Sequence, residues 1–176
     1  MNSCESCAYQ YDDLPRAQLP ASIREYAQRF GTVLAANDAL ALRRRPAPEV
    51  WSPLEYACHV RDVLAMQRER LERALAEDLP DFEPMDREGR VTSERYNEQD
   101  PKVVARQLVN AAGEYAGRVE SLDDEQWLRG GVYHWPVTTT RTMDWVARHT
   151  VHELIHHLHD VDRGLTTPPQ IPRNDL

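Results

Sequence analysis

Histidines are concentrated near the end of the chain. Five of the seven lie within eleven positions: His149, His152, His156, His157 and His159. Because neither glycine nor proline interrupts this stretch before Gly164, we predict one helix from Thr142 to Arg163 that ends at that glycine. On such a helix His152 and His156 lie one turn apart, so both imidazoles can reach one cation. This spacing is typical of a metal site.

The predicted histidine helix also has a separate apolar stripe. Its members are Ala147, Val151, Leu154, Leu158, Val161 and Leu165. His152 and His159 border the stripe, whereas His149 and His156 lie further round, so we expect the histidines at the edge of a bundle core. A solvated, histidine-rich face is the alternative, but so many imidazoles in one short stretch favour metal binding. His149, His157 and His159 could orient a substrate, move a proton or face solvent.

Length and composition indicate one packed domain. The chain has 176 residues, of which 41% are hydrophobic and 7 are glycines, which together with helical spacing of the apolar residues favours an all-α domain. A net charge of −8 argues against a nucleic-acid or anionic membrane partner. The sequence contains no apolar run long enough to cross a bilayer and no signal-like segment, so we expect a cytoplasmic protein.

The apolar spacing predicts four long helices. The first covers residues 21–45, the second starts at Ser52 with Pro53 and Glu55 in a capping box, and the third runs from Asp100 to Leu122. The histidine helix is the fourth. The acidic segment 77–90 and the segment 130–140 are expected to be loops. We therefore predict an all-α four-helix bundle with long crossover connections in residues 21–165, preceded by a cysteine-containing arm (1–20) and followed by an irregular tail (166–176).

Cys4 and Cys7 form a Cys-x-x-Cys motif in the N-terminal arm. The motif could be half of a second, zinc-binding site that needs two more ligands, for which Cys58 and His134 are candidates. A flexible arm with reduced thiols is an equally open interpretation. A redox pair is less favoured because the strand-to-helix context of such pairs is missing.

A family resemblance rests on two motifs. The segment Trp51–Asp62, WSPLEYACHVRD, followed on the last predicted helix by His152-x-x-x-His156, resembles the DinB/YfiT-like bundle family over residues 21–165. In that family a divalent metal is held by a histidine on the second helix and by a histidine or glutamate, plus a histidine four residues later, on the fourth. Carried over by position, the resemblance implies His59, His152 and His156 as metal ligands. It also implies a homodimer, since bundles of this family are often dimers.

The resemblance implies a class of chemistry as well. Relatives include mycothiol- or bacillithiol-dependent S-transferases and a maleylpyruvate isomerase, and others look like metal hydrolases. Three protein ligands leave a position on the metal at which a thiol or a water can lose its proton. We therefore expect a transferase that activates a low-molecular-weight thiol toward a small electrophilic substrate, with zinc as the favoured ion and nickel, manganese or iron as alternatives. Side chains expected to support the ligands are Glu55, Asp62, Asp160 and His149.

Two other functions remain open. The run from His152 to His156 also matches the zinc-peptidase pattern HExxH, with Glu153 as general base. A metal hydrolase of this peptidase type is disfavoured because the turn glycine after the motif is absent and strand-like segments are scarce. A bundle that binds a metal or ligand without catalysis is the other alternative.

Overall fold

Four long helices form the bundle in the computed structural model, which describes residues 3–167. The helices are α1 (Leu19–Ala36), α2 (Ala39–Arg43), α3 (Pro53–Ala76), α4 (Arg87–Ser93), α5 (Pro101–Glu120), α6 (Asp124–Leu128) and α7 (Met143–Thr166), and the strands are β1 (Gly130–Tyr133) and β2 (Thr139–Thr142). The long helices are α1, α3, α5 and α7. The predicted mainly helical fold is therefore confirmed, with one small sheet added.

The helix neighbours explain the long connections. Both α1 and α3 pack against α5 and against α7, so the consecutive helices α1 and α3 lie on a diagonal of the bundle. The chain between them must cross the end of the bundle, and the same holds between α5 and α7. The core between the helices is filled by fully buried side chains, among them Phe30, Leu64, Leu108 and Leu154. The predicted crossover connections follow from this arrangement.

The predicted starts of the second and third long helices, α3 and α5, are confirmed. The Ser52 side chain accepts a hydrogen bond from the Glu55 N–H, and the Glu55 carboxylate accepts one from the Ser52 N–H, which completes a capping box before α3. Asp100 caps α5 by accepting from the Lys102 N–H. These caps satisfy backbone donors that the first helical turn leaves unpaired.

Two predicted helix boundaries are wrong. The first long helix breaks after Ala36, because the Asp38 side chain accepts from the N–H groups of Leu40 and Ala41 and so starts a separate helix, α2. The last helix does not end at Gly164 but continues to Thr166. Gly164 is buried against Pro53, and no glycine among residues 3–167 has a positive φ.

The segments predicted as loops contain regular structure. Strands β1 and β2 pair antiparallel, with Gly130 opposite Thr142 and Tyr133 opposite Thr139. The chain at 80–82 adds to this hairpin, since the Phe82 N–H donates to the Val132 carbonyl over 3.0 Å. Helix α4 begins within the acidic segment. These elements hold Tyr133 and the following residues beside α7.

The N-terminal arm packs on the bundle. Residues 3–10 form a small hairpin, closed by a bridge between Ser3 and Gln10 and by a 2.9 Å hydrogen bond from the Cys4 N–H to the Tyr9 carbonyl. Arg148 of α7 donates to the Tyr11 and Leu14 carbonyls over 2.8 and 2.7 Å. The hairpin therefore lies against α7. The division into arm, bundle and tail stays a prediction, and residues 168–176 of the expected tail lie outside the described residues. Within residues 3–167, the helices are too short or too polar to span a bilayer.

Candidate metal centre

One cluster of ligand-type side chains joins α3 to α7. His59 of α3 faces Glu153 and His157 of α7, and one ligand atom from each lies within 4.8 Å of the others. His59 Nε2 is 3.9 Å and His157 Nε2 is 3.5 Å from Glu153 Oε2. Glu153 and His157 are four residues apart on one helix, so both reach the same point. We call this the His-Glu-His cluster.

His59 lacks the partners that a buried imidazole normally has. Its side chain is 1% exposed, and neither ring nitrogen has a hydrogen-bond partner within the described part of the chain. Leaving a buried polar atom unsatisfied costs about 1–3 kcal/mol. A cation between His59, Glu153 and His157 would take up one of these nitrogens, so the residues fit the divalent metal that the family resemblance implies.

The charges in the His-Glu-His cluster suit a metal ligand set. Burial lowers the pKa of His59, which keeps its ring neutral. Burial opposes ionisation of Glu153, but the neighbouring imidazoles of His152, His157 and His59 hold the pKa of Glu153 well below its usual range. Burial likewise opposes protonation of His157, but Asp160 and Glu153 raise its pKa to about 9. A metal ion in the cluster would take the place of that proton.

His157 is oriented by a carboxylate. Its Nδ1 is hydrogen-bonded to Asp160 Oδ2 over 2.9 Å, which leaves Nε2 directed toward Glu153. Metal-binding histidines commonly donate their other N–H to such a group. The Tyr56 ring stacks on the His157 ring with centroids 5.3 Å apart, so the imidazole is fixed on both its face and its edge.

A second cluster joins the N-terminal hairpin to α7. Ligand atoms of Cys4, Cys7, His152 and His156 all lie within 4.8 Å of one another, and Cys4 Sγ is 3.6 Å from His156 Nδ1. We call this the Cys-His cluster. Burial opposes ionisation of Cys4, but the Cys7 N–H, His152 and His156 lower the pKa of its thiol to about 6. Burial and the neighbouring Cys4 raise the pKa of Cys7 to about 11.

Both clusters border one cavity of about 870 Å³. Its walls come from the N-terminal hairpin, from α3, from the segment around Met85 and from the β1–β2 turn. The charged side chains in the walls include Arg70, Arg87 and Glu153. Arg70 is held by the Tyr133 hydroxyl over 3.0 Å, whereas Arg87 is exposed.

The predicted ligand set of His59, His152 and His156 is not brought together. The structure places His59 with Glu153 and His157, while His152 and His156 face the two cysteines. Positions 152 and 156 precede 153 and 157 by one residue, a rotation of about 100° on the helix, so each pair faces a different side. The spacing of Glu153 and His157, with a glutamate that the family pattern allows, was the sequence signal for the observed cluster.

Of the four side chains expected to support the metal ligands, two lie beside residues of the His-Glu-His cluster and two have other partners. Asp160 contacts His157, and His149 Nε2 lies 3.6 Å from Glu153 Oε1. Glu55 instead belongs to the capping box of α3, and its carboxylate is also paired with Arg45 over 2.7 Å. Asp62 instead accepts hydrogen bonds from Arg61, Arg90 and Tyr96.

The two candidates for completing a cysteine site lie elsewhere. The Cys58 thiol is 3.7 Å from the Tyr96 carbonyl, and His134 is hydrogen-bonded to Asp81 and Thr138. His159 is exposed. The histidines that lie with Cys4 and Cys7 are instead His152 and His156, which the family resemblance places with His59.

Comparison with known proteins agrees with the fold. The chain resembles YfiT from Bacillus subtilis, described as a probable metal-dependent hydrolase with an unusual four-helix bundle topology, at a TM-score of 0.73 and 18% identity over 86% of this chain and 90% of that chain. It also resembles a mycothiol-dependent maleylpyruvate isomerase at a TM-score of 0.67 and 13% identity, over 85% of this chain and 62% of that chain. The comparison with curated proteins gives no match. The sequence pattern of the DinB superfamily matches residues 20–161, and the chain therefore belongs to the DinB superfamily.

Proposed function

We propose that this protein is a metal-dependent enzyme that activates a low-molecular-weight thiol for transfer to a small electrophilic molecule. The ligands in this proposal are His59, Glu153 and His157. The observation that carries it is the buried His59 ring, whose nitrogens lack partners within residues 3–167, facing a carboxylate and a second imidazole beside a large cavity.

Three protein ligands are the number typical of a catalytic rather than a structural zinc site. A divalent ion held there would lower the pKa of a thiol or water at its open position, making a nucleophile near neutral pH. Glu153 supplies one negative charge against the charge of the ion. Asp160 fixes the His157 ring so that its Nε2 stays available, and His59 contributes a neutral imidazole.

The cavity supports a small-molecule substrate. A volume of about 870 Å³ falls within the range of about 300–1,000 Å³ common for small-molecule sites. Met66, Met85 and Trp135 offer apolar surface, and Arg87 offers an exposed cation at the wall. We infer that the thiol or its acceptor carries an acidic group that this guanidinium binds.

The nucleophile distinguishes the two main candidate functions. The likeness to a mycothiol-dependent isomerase supports a thiol, whereas the likeness to YfiT supports water and hence hydrolysis. A peptidase of the HExxH type has less support. Its two histidines would be His152 and His156, which face Cys4 and Cys7 here, and four protein ligands leave no open position on a tetrahedral ion.

The test compares His59→Ala with His159→Ala, a matched control whose histidine is exposed. Metal content is measured by ICP-MS on protein purified without a histidine tag, and turnover is followed with small thiols and a panel of electrophiles. Even loss of a supporting partner of a metal ligand costs about 10–100-fold, so His59→Ala should lower thiol-dependent turnover by at least about 100-fold and remove one metal equivalent. His159→Ala should change neither.

The outcomes separate the candidates. Thiol-dependent turnover that is unchanged in His59→Ala contradicts the proposal. Turnover that needs the metal but no thiol favours the hydrolase. Metal binding without turnover of either kind favours a non-catalytic bundle. The same measurements on protein loaded with zinc, nickel, manganese or iron identify the ion. The homodimer and the cytoplasmic location stay predictions.

A further inference from the structure

The N-terminal hairpin presents both of its cysteines to α7. The Cys4 N–H bonds to the Tyr9 carbonyl, and Ala8 adopts a left-handed conformation with φ 58°, so the Cys-x-x-Cys segment turns back on itself. Cys7 is buried although this hairpin lies at the edge of the bundle. Both sulfur atoms thereby lie within 4.8 Å of ring nitrogens of His152 and His156.

The separation of Cys4 and His156 suits a tetrahedral ion in the Cys-His cluster. With Zn–S near 2.3 Å and Zn–N near 2.0–2.1 Å, neighbouring ligand atoms of a tetrahedron lie roughly 3.3–3.8 Å apart. Cys4 Sγ and His156 Nδ1 are 3.6 Å apart. His152 Nε2 is buried and has no hydrogen-bond partner among the described residues. An ion in the cluster would satisfy that nitrogen.

Groups behind the cluster hold its histidines in place. The Tyr11 hydroxyl is 3.3 Å from His152 Nδ1, which leaves Nε2 as the nitrogen for an ion. Asp160 Oδ2 lies 3.6 Å from His156 Nε2, which leaves Nδ1 facing Cys4. Such partners on the far side of each ring are usual for metal-binding histidines.

From this geometry we propose that Cys4, Cys7, His152 and His156 form a second metal site, a structural zinc centre that fastens the N-terminal hairpin to α7. Two thiolates and two imidazoles form a closed four-ligand set, which is typical of structural zinc. This centre goes beyond the proposed catalytic cluster and shares no ligand with it.

The structural centre would shape the cavity beside it. Ser3, Cys4, Glu5 and Ser6 of the hairpin line the cavity that the His-Glu-His cluster also borders. Zinc at the Cys-His cluster therefore holds one wall of the substrate site in place. Because four protein ligands fill its coordination sphere, this zinc has no open position at which the substrate could bind.

The test counts metal and identifies sulfur ligands in untagged full-length protein prepared under reducing conditions. The matched pair is His156→Ala and His157→Ala, neighbouring residues assigned to different clusters. Cys4→Ser/Cys7→Ser removes both sulfurs, and Cys58→Ser is the control cysteine. Zinc is counted by ICP-MS, and cobalt-loaded protein is examined for the sulfur-to-cobalt charge-transfer band in the near ultraviolet.

Wild type and Cys58→Ser should hold about two zinc equivalents, and each other variant about one. The charge-transfer band should be present in wild type and His157→Ala but absent from the double serine variant. Lack of this band in cobalt-loaded wild type overturns the proposal whether or not the variants fold. So does a reduced double serine variant that keeps its zinc, or a Cys4–Cys7 disulfide in place of bound metal. Loss of all zinc in the double serine variant alone would instead contradict the His-Glu-His assignment and leave this centre standing.

Discussion

Glu153 lies between the two clusters. Its Oε2 faces His59 and His157, whereas its Oε1 is 3.6 Å from both His149 Nε2 and His152 Nδ1. The Tyr11 hydroxyl bridges His149 and His152 at 2.8 and 3.3 Å. One carboxylate therefore lies beside side chains of both clusters. Its negative charge acts on both clusters because burial leaves little water to screen it.

A second carboxylate, the half-buried Asp62, acts on stability rather than on the metal. It accepts hydrogen bonds from Arg61, from Arg90 over 2.6 Å and from the Tyr96 hydroxyl over 2.6 Å. Burial opposes its ionisation, but these three partners lower the pKa of Asp62 below its usual value of 3.8. A carboxylate whose pKa is lower in the folded state stabilises the fold above its unfolded pKa, and this stabilisation is lost as the pH falls through the folded pKa.

Asp62→Asn should therefore lower the free energy of unfolding by about 2–4 kcal/mol at neutral pH. The difference from wild type should shrink as the pH falls below 3.8. Urea unfolding across this pH range, with a chelator present throughout so that metal release does not contribute, measures both. The control is Asp78→Asn, at an exposed position. A wild-type advantage that does not change with pH would contradict the assignment.

Helix α7 carries ligand-type side chains on two of its sides. His152 and His156 face the N-terminal hairpin, while Glu153 and His157 face α3. Its continuation through Gly164 keeps the helix packed on the start of α3, where Pro53 lies beside the glycine. One rigid helix therefore fixes the relative position of both clusters.

Gly164→Ala tests this continuation. The added Cβ would lie 3.4 Å from Pro53 Cδ and Cγ, an ordinary contact, and alanine favours a helix over glycine by about 0.5–1 kcal/mol. We expect the substitution to raise the free energy of unfolding by about that amount in urea titrations. Gly113→Ala, in α5 with open space around the position, gives the propensity effect alone. A helix that ended at Gly164 in a left-handed conformation would instead be destabilised.

At the scale of the whole molecule, the N-terminal hairpin meets the last long helix, α7, beside the two clusters. Residues 4 and 156, far apart in sequence, are in contact, and Arg148 ties the segment after the hairpin to α7. The hairpin contributes few helical or sheet hydrogen bonds of its own. Its position therefore depends on its contacts with α7 and on the zinc proposed for the Cys-His cluster.

Removing the metal should loosen the hairpin selectively. We expect a chelator to speed amide hydrogen exchange in residues 3–11, while α1 and α5, which contribute no ligands to either cluster, keep their protection. In Cys4→Ser/Cys7→Ser the hairpin should already exchange fast, and the chelator should add little there. Equal protection of the hairpin with and without metal would show that packing alone holds it.

Several features were determined by the sequence itself. The capping residues Ser52 and Asp100 fix where α3 and α5 begin, because a cap bonds to backbone donors two or three positions away. Apolar spacing gave the four long helices, and the histidine stretch with its family resemblance indicated a metal site. The caps and the apolar spacing act within a few turns of one helix, whereas the resemblance combines motifs on two helices.

The tertiary structure decided which of the ligand-type side chains lie together. Both His152 with His156 and Glu153 with His157 have the spacing of a ligand pair, and local sequence gives no reason to join His59 to either. The choice depends on how α7 is rotated against α3 and on where the N-terminal hairpin lies. Those are contacts between distant parts of the chain, and they are fixed by the burial of apolar faces in the assembled bundle.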